Sequence, residues 1–169
     1  MSAKIFQDIN YCPRCGHPVE LEEHFGKLRP ACPGCSWIYF ADPKVAVAAL
    51  IEQGDQILLV RRVNDPQRGL WTLPAGFVDA GEDPVQAIER ECLEETGLHV
   101  QVLGLLDVLA GQEHSRGAHI LIVYRADVLS GTARPGDDAD SVAFFSRNNL
   151  PDLAFSTTRR ILEKSIPTP

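Results

Sequence analysis

Residues 76 to 98 constrain this chain more than any other stretch. Five residues separate Gly76 from Glu82, and seven more separate Glu82 from the run Arg90-Glu91-Cys92-Leu93-Glu94-Glu95-Thr96-Gly97-Leu98. Helix signals bracket the segment. Asp83 suits the N-cap, Pro84 the first helical position, and Gln86 completes a capping-box pattern. Gly97 suits the C-terminal cap. Val85, Ile88 and Cys92 share one helical face and predict packing on a sheet. Glu91, Glu94 and Glu95 lie three and four residues apart, so a helix places them together, largely off that stripe. Like charges so placed repel, and a bound divalent cation would explain them. The competing reading is a solvated acidic helix with surface salt bridges, Glu91 to an adjacent arginine for example.

Four of the five cysteines form Cys12-Pro13-Arg14-Cys15 and Cys32-Pro33-Gly34-Cys35, with sixteen residues between the pairs. Two such knuckles predict a zinc ribbon, because a two-residue spacer lets both thiolates of a pair face one ion. Gly34, and Gly16 just after the first pair, suit tight turns that aim N–H groups at sulfur. Two disulfides or a redox pair are the alternatives. A disulfide framework expects a secreted chain, and Met1 to Asn10 has no apolar core and no cleavage pattern. Residues 1–41 are too few to bury much core, so metal ligation would have to stabilise them. A short strand is expected over Ser36 to Phe40. Cys92, inside the predicted helix, reads as a small buried hydrophobe.

The formal net charge of −7 disfavours nonspecific nucleic-acid binding, which needs positive charge to replace counterions. Over residues 1–40 the acids Asp8, Glu20, Glu22 and Glu23 balance Lys4, Arg14, Lys27 and Arg29, so the ribbon offers no basic face. No apolar run approaches a membrane span. A cytoplasmic protein without nucleic-acid or membrane partners is expected. An acidic protein still binds phosphates if metal ions supply the positive charge.

Asp42-Pro43 reads as a boundary, with a second domain over 42–169. Val45 to Ile51 is an apolar run that predicts a buried strand. A turn at Gln53-Gly54-Asp55 leads into a second strand, Gln56 to Arg62. Pro74 and Gly76 punctuate the piece that follows, and Phe77-Val78 is strand-like. Further strands are expected at His99 to Asp107 and His119 to Val128, and one ending near Phe144-Phe145. A last helix is expected over Thr157 to Ser165, capped by Ser156. Strands with helices on both sides predict an α/β sandwich with a mixed sheet.

The pattern G-x5-E-x7-R-E-U-x-E-E-x-G-U, with U apolar, is the signature of the Nudix hydrolases, and residues 76–98 resemble it at every fixed position. With residue types used at roughly 7% each, a chance match has odds on the order of one in a million. The resemblance implies a Nudix α/β/α sandwich that hydrolyses a pyrophosphate bond with Mg²⁺ or Mn²⁺. It implies metal ligation by Glu91, Glu94 and Glu95 and by the backbone carbonyl of Ala75. Glu82 would be a weaker ligand or a structural partner, and Arg90 would orient a neighbouring glutamate through its planar fork. Family members take their general base either from the box or from a later loop. The candidates here are a box glutamate, Glu94 or Glu91; Glu113; and the acidic loop Asp137-Asp138-Ala139-Asp140. A solvated turn is the plainer reading of that loop.

A four-cysteine ribbon joined to this box is similar to two groups. The NADH pyrophosphatases carry a SQPWPFPxS-type motif after the box, and Leu105 to His114 lacks it. The compact zinc-ribbon Nudix proteins, among them plastid enzymes cleaving FAD and ADP-ribose, are similar over Gly69 to Phe77 and Leu153 to Ser156. This likeness implies a small nucleotide substrate such as ADP-ribose or FAD, split into two monophosphates, and a homodimer by analogy. The alternatives are NADH or a (deoxy)nucleoside triphosphate as substrate, or a nucleotide-sensing regulator. Arg61, Arg62 and Arg68 are the nearest cations for substrate, and at most one of Arg61 and Arg62 can face a given cleft. Trp71 and Phe77 are candidates to stack a base, with core packing the stronger reading for Trp71.

Overall fold

The computed structural model describes residues 9–111, 113 and 117–165, and the chain parts at Asp42–Pro43 into two compact units. In the first unit, β1 (Glu20–His24) and β2 (Lys27–Ala31) form an antiparallel hairpin. Its two turn residues, Phe25 and Gly26, both have positive φ, 54° and 71°, the conformation whose twist matches a two-residue hairpin. The two cysteine turns repeat one hydrogen-bond pattern. The N–H of Gly16 donates to Cys12 O and that of Cys12 to His17 O; Ser36 donates to Cys32 O and Cys32 to Trp37 O. The residue after each pair is left-handed, with φ of 75° at Gly16 and 58° at Ser36. The second turn therefore places Ser36, and not Gly34, in the strained position. That conformation also breaks the strand expected from Ser36. Only a bridge from Ile38 to Ala31 forms there.

The second unit holds β3 (Val45–Gln53), β4 (Gln56–Arg62), β5 (Trp71–Thr72), β6 (Ala75–Phe77), α1 (Pro84–Thr96), β7 (Leu98–Ala110), β8 (Ile120–Gly131), β9 (Ala139–Ser146) and α2 (Ser156–Lys164). β3 and β4 are paired only beside their turn, at Glu52–Ile57 and Gln53–Gln56. Beyond it they part. β3 runs parallel to β8 and antiparallel to β6, and β7 pairs antiparallel with β8. β4 pairs antiparallel with β5 and β9. The sheet is mixed, as expected.

Alternation along these strands explains why they read as unbroken apolar runs. Val47, Ala49 and Ile51 of β3 and Leu58 of β4 pack with Ala87, Ile88 and Cys92 of α1. Their neighbours Ala48, Leu50, Ile57 and Leu59 pack with Ile161 and Leu162 of α2. Both faces of the sheet are covered, so neither set of positions can be polar.

The first helix is started and stopped by the residues that its sequence nominates. The Asp83 carboxylate accepts from the N–H of Val85 at 2.8 Å and of Gln86 at 3.3 Å. Gly97, at φ 70°, donates its N–H to Leu93 O. The second helix departs from expectation. It begins at Ser156, so that residue lies inside the helix, and Phe155 at the cap position makes no side-chain cap bond.

Candidate active site

Strand β6 and helix α1 meet at Gly76. A Cβ there would coincide with the Glu91 carboxyl group, so only glycine leaves room for the carboxylate. Arg90 ties the box together. Its Nε and Nη2 grip both oxygens of Glu82 at 2.8 and 2.9 Å. Its Nη1 donates to Glu91 at 2.7 Å and to Glu94 at 3.1 Å, and its Nη2 also reaches the carbonyl of Phe77 at 3.1 Å. Glu82 is held further by the N–H of Asp79. The Arg90 fork drives the Glu82 carboxyl down to about 2. Glu82 is thus a hydrogen-bond partner of Arg90.

Glu95 is buried and accepts the N–H of Ala75 at 2.9 Å. Burial raises its pKa to about 8, with Glu91 and Asp138 adding repulsion and the Ala75 N–H and Arg62 opposing it. Burial likewise raises Glu91, against the pull of Arg90. Glu94 is the exposed member. Among the described residues, these three carboxylates do not gather their oxygens within 4.8 Å of one another. Arg90 bridges Glu91 and Glu94, while Glu95 turns to the backbone of β6. The donor set is all oxygen, and its acids outnumber its one arginine. With the notch at Gly76, it fits a hard divalent cation such as Mg²⁺ or Mn²⁺.

The backbone of β6 also lines a cleft of about 360 Å³. Its walls include Arg62, Phe77, Glu113, Asp138, Phe155 and Thr157. Of the substrate candidates, Arg62 and Phe77 reach this cleft, and Arg61, Arg68 and Trp71 do not line it. The pleat separates the two arginines. Arg61 pairs with Asp140 at 2.6 Å, whereas the Arg62 guanidinium lies 5.0 Å from the centre of the Phe155 ring. Trp71 packs edge-on against Phe145 at 4.7 Å, which is its core reading. Phe77 is about half exposed, with the Lys44 ammonium 5.8 Å from its ring centre.

The acidic loop is built into the unit, not merely solvated. Asp138 accepts from the Asn64 amide at 2.6 Å, and its carbonyl accepts the N–H of Val63. Glu113 accepts from two backbone N–H groups, Ser156 at 2.9 Å and Thr157 at 2.7 Å. Burial would raise its pKa, but these bonds outweigh that and hold it below the ordinary glutamate range. Gln112 and His114, its expected neighbours in the sequence, lie outside the described residues. Sequence reasoning missed Asn64 and Phe155 as cleft residues. Only Phe155 carried a signal, as part of the Leu153 to Ser156 likeness.

In the first unit, the Sγ atoms of Cys12, Cys15, Cys32 and Cys35 all lie within 4.8 Å of one another. The cross-knuckle separations are 3.6 Å for Cys12–Cys35 and 3.4 Å for Cys15–Cys32. A tetrahedral zinc with bonds of about 2.3 Å spaces its sulfurs by about 3.8 Å, while a disulfide needs about 2.05 Å. All four thiols are free, so the disulfide alternative fails. The N–H of Arg14 points at Cys12 Sγ at 3.4 Å. Burial pushes the Cys12 thiol up, but hydrogen bonds from Arg14, Cys15 and Cys35 outweigh it and bring it to about 7. These residues fit a zinc ion.

A glycine notch over a carboxylate helix, beside a cleft in a two-helix sandwich, defines a class. The NUDIX domain model matches residues 42–164, and the chain belongs to the Nudix hydrolases as a pyrophosphatase of that family. It is 44% identical over 117 residues to the ADP-ribose pyrophosphatase of Methanocaldococcus jannaschii, covering 69% of each chain. It is 30% identical to the NAD-capped RNA hydrolase NudC of Edwardsiella ictaluri, across 97% of this chain but only 63% of that relative's length. Among solved structures, a NUDIX hydrolase from Nitrosomonas europaea superposes with a TM-score of 0.82 at 32% identity, covering 92% of both chains. Among the described residues no helix is long and apolar enough to cross a membrane.

Proposed function

We propose that this chain cleaves the pyrophosphate bond of ADP-ribose, with FAD as a second substrate of the same kind, giving two monophosphates. The carrying observation is the Gly76 notch, which seats the Glu91 carboxylate against the strand that lines the cleft. The 44% identity to an ADP-ribose pyrophosphatase supports the substrate. Mg²⁺ or Mn²⁺, held by Glu91, Glu94, Glu95 and the Ala75 carbonyl, would acidify the attacking water and neutralise phosphoryl oxygens. Arg90 fixes Glu91 and Glu94 from a single nitrogen, so both carboxylates keep their orientation. Glu82 occupies the other edge of that guanidinium and keeps it from rotating. Glu94, exposed beside them, accepts the proton of the water. Arg62 balances the charge of the diphosphate, and Phe77 and Phe155 offer aromatic faces for the purine.

Residues 1–41 form a zinc ribbon that Cys12, Cys15, Cys32 and Cys35 hold, and 42–169 form the catalytic domain. A second reading takes NADH as substrate. Its support is the likeness to NudC, which runs through the cysteine segment as well as the box. A panel of ADP-ribose, FAD, NADH and dGTP with either metal separates these readings by product. ADP-ribose should give AMP and ribose 5-phosphate. Faster cleavage of NADH would favour the second reading, and pyrophosphate released from dGTP would replace both.

A further inference from the structure

Helix α2 lacks a starter of its own. Phe155 stands at its cap position with no side chain able to accept a hydrogen bond, and no acidic residue lies in its first turn. An uncapped start leaves backbone N–H groups without partners. The missing acceptor comes from far along the chain. Glu113 lies forty-three residues before Ser156, and its two carboxylate oxygens take one N–H each, from Ser156 and from Thr157. An anion is favoured there twice over, by the free donors and by the helix dipole. Glu113 is itself anchored, its N–H donating to Gly111 O at 2.7 Å, while the Gly111 N–H donates to His119 O. This bridge joins two walls of the cleft. Gly111, Glu113 and Ala118 come from one side of it, and Phe155, Thr157 and Thr158 from the other.

We propose that Glu113 is a positioning residue for substrate: it caps α2 in trans and so fixes Phe155, with the Arg62 guanidinium over its ring, as the binding wall. The inference rests on the proposed substrate class but assigns Glu113 a role other than general base. Both of its oxygens are engaged by donors that must stay bound for the helix to start. Those two bonds favour the ionised carboxylate and so make it a weaker proton acceptor. The loss therefore falls on binding and spares the chemical step.

The test compares wild type with Glu113→Ala and Glu113→Gln, measuring kcat, KM and the pH profile of kcat with the diphosphate that wild type cleaves. Turnover of ADP-ribose by wild type reports separately on the substrate reading. Loss of one cap corresponds to about a fivefold factor. Glu113→Ala should raise KM about that much, leave kcat within about threefold, and preserve the shape of the pH profile. Glu113→Gln, which keeps one acceptor but cannot serve as a base, should recover part of the KM. Hydrogen exchange at the Ser156 and Thr157 amides should quicken in Glu113→Ala and less so in Glu113→Gln. A fall in kcat of a hundredfold or more in both variants, the range of a general base, would overturn the proposal. So would unchanged KM and unchanged amide exchange in Glu113→Ala.

Discussion

Helix α1 and helix α2 flank the same sheet but are specified differently. α1 has its N-cap at Asp83, its first-turn proline at Pro84 and its left-handed stop at Gly97, all within fifteen residues of sequence. The box carboxylates Glu91, Glu94 and Glu95 fall in the same run. α2 has an apolar residue at its cap position and takes its acceptor from Glu113 in the connection between β7 and β8. The carboxylate cluster on α1 is therefore written contiguously, whereas the cleft wall at α2 is assembled from distant segments.

The largest effect expected of a single methyl group is at Gly76. Gly76→Ala must expel the Glu91 carboxylate from its notch, and misplacement on the ångström scale costs on the order of a hundredfold in turnover. Steady-state kinetics on the folded variant checks this, and near-normal kcat would show that the notch does not set the position of Glu91. The ribbon provides the next test. Metal analysis should find about one zinc per chain, and Cys12→Ser should lose it. Such a unit depends on its metal to fold, so protease nicking within residues 1–42 should follow, while the larger unit survives.

Smaller effects compare the helix ends. Asp83→Ala should destabilise the larger unit by about 1 kcal/mol, read by denaturant unfolding. Gly97→Ala should cost about 1–2 kcal/mol for the left-handed conformation, and its Cβ would also press on Arg134 Cγ at 2.7 Å. The smallest effect concerns pH. The hydrogen bond from Lys164, on α2, holds the Asp107 carboxyl on β7 below its ordinary value. A depressed carboxylate adds stability that is complete above the unfolded pKa, near 3.9, and is lost as pH falls through the folded value. Lys164→Met should therefore flatten the acid side of the stability curve below about pH 4, and only slightly, because the pair is exposed to solvent.

What could be read in advance follows the same division. The box, its caps and the stripe of Val85, Ile88 and Cys92 needed only helical periodicity. β3 and β4 needed only an apolar run, because both sheet faces are buried. The cysteine spacing announced a metal turn, though not that Ser36 would take the left-handed position. Long-range pairings gave no local sign. Nothing near Ser156 says that its N–H meets Glu113, and nothing in Arg61-Arg62 says which arginine faces the cleft. That choice is set by the register of β4 against β9, which shifts between these two residues. Asn64 became a cleft residue for the same reason, through a contact with Asp138 that lies far off in sequence.

The most direct test of the account is ADP-ribose turnover by wild type and Glu95→Gln with Mg²⁺, products resolved by chromatography. Glutamine keeps an acceptor for the Ala75 N–H, so the fold should persist and circular dichroism should be unchanged. Wild type should release AMP and ribose 5-phosphate, and the variant should be slower by a hundredfold or more. Equal rates in the two proteins would contradict the assignment of the α1 carboxylates to the reaction.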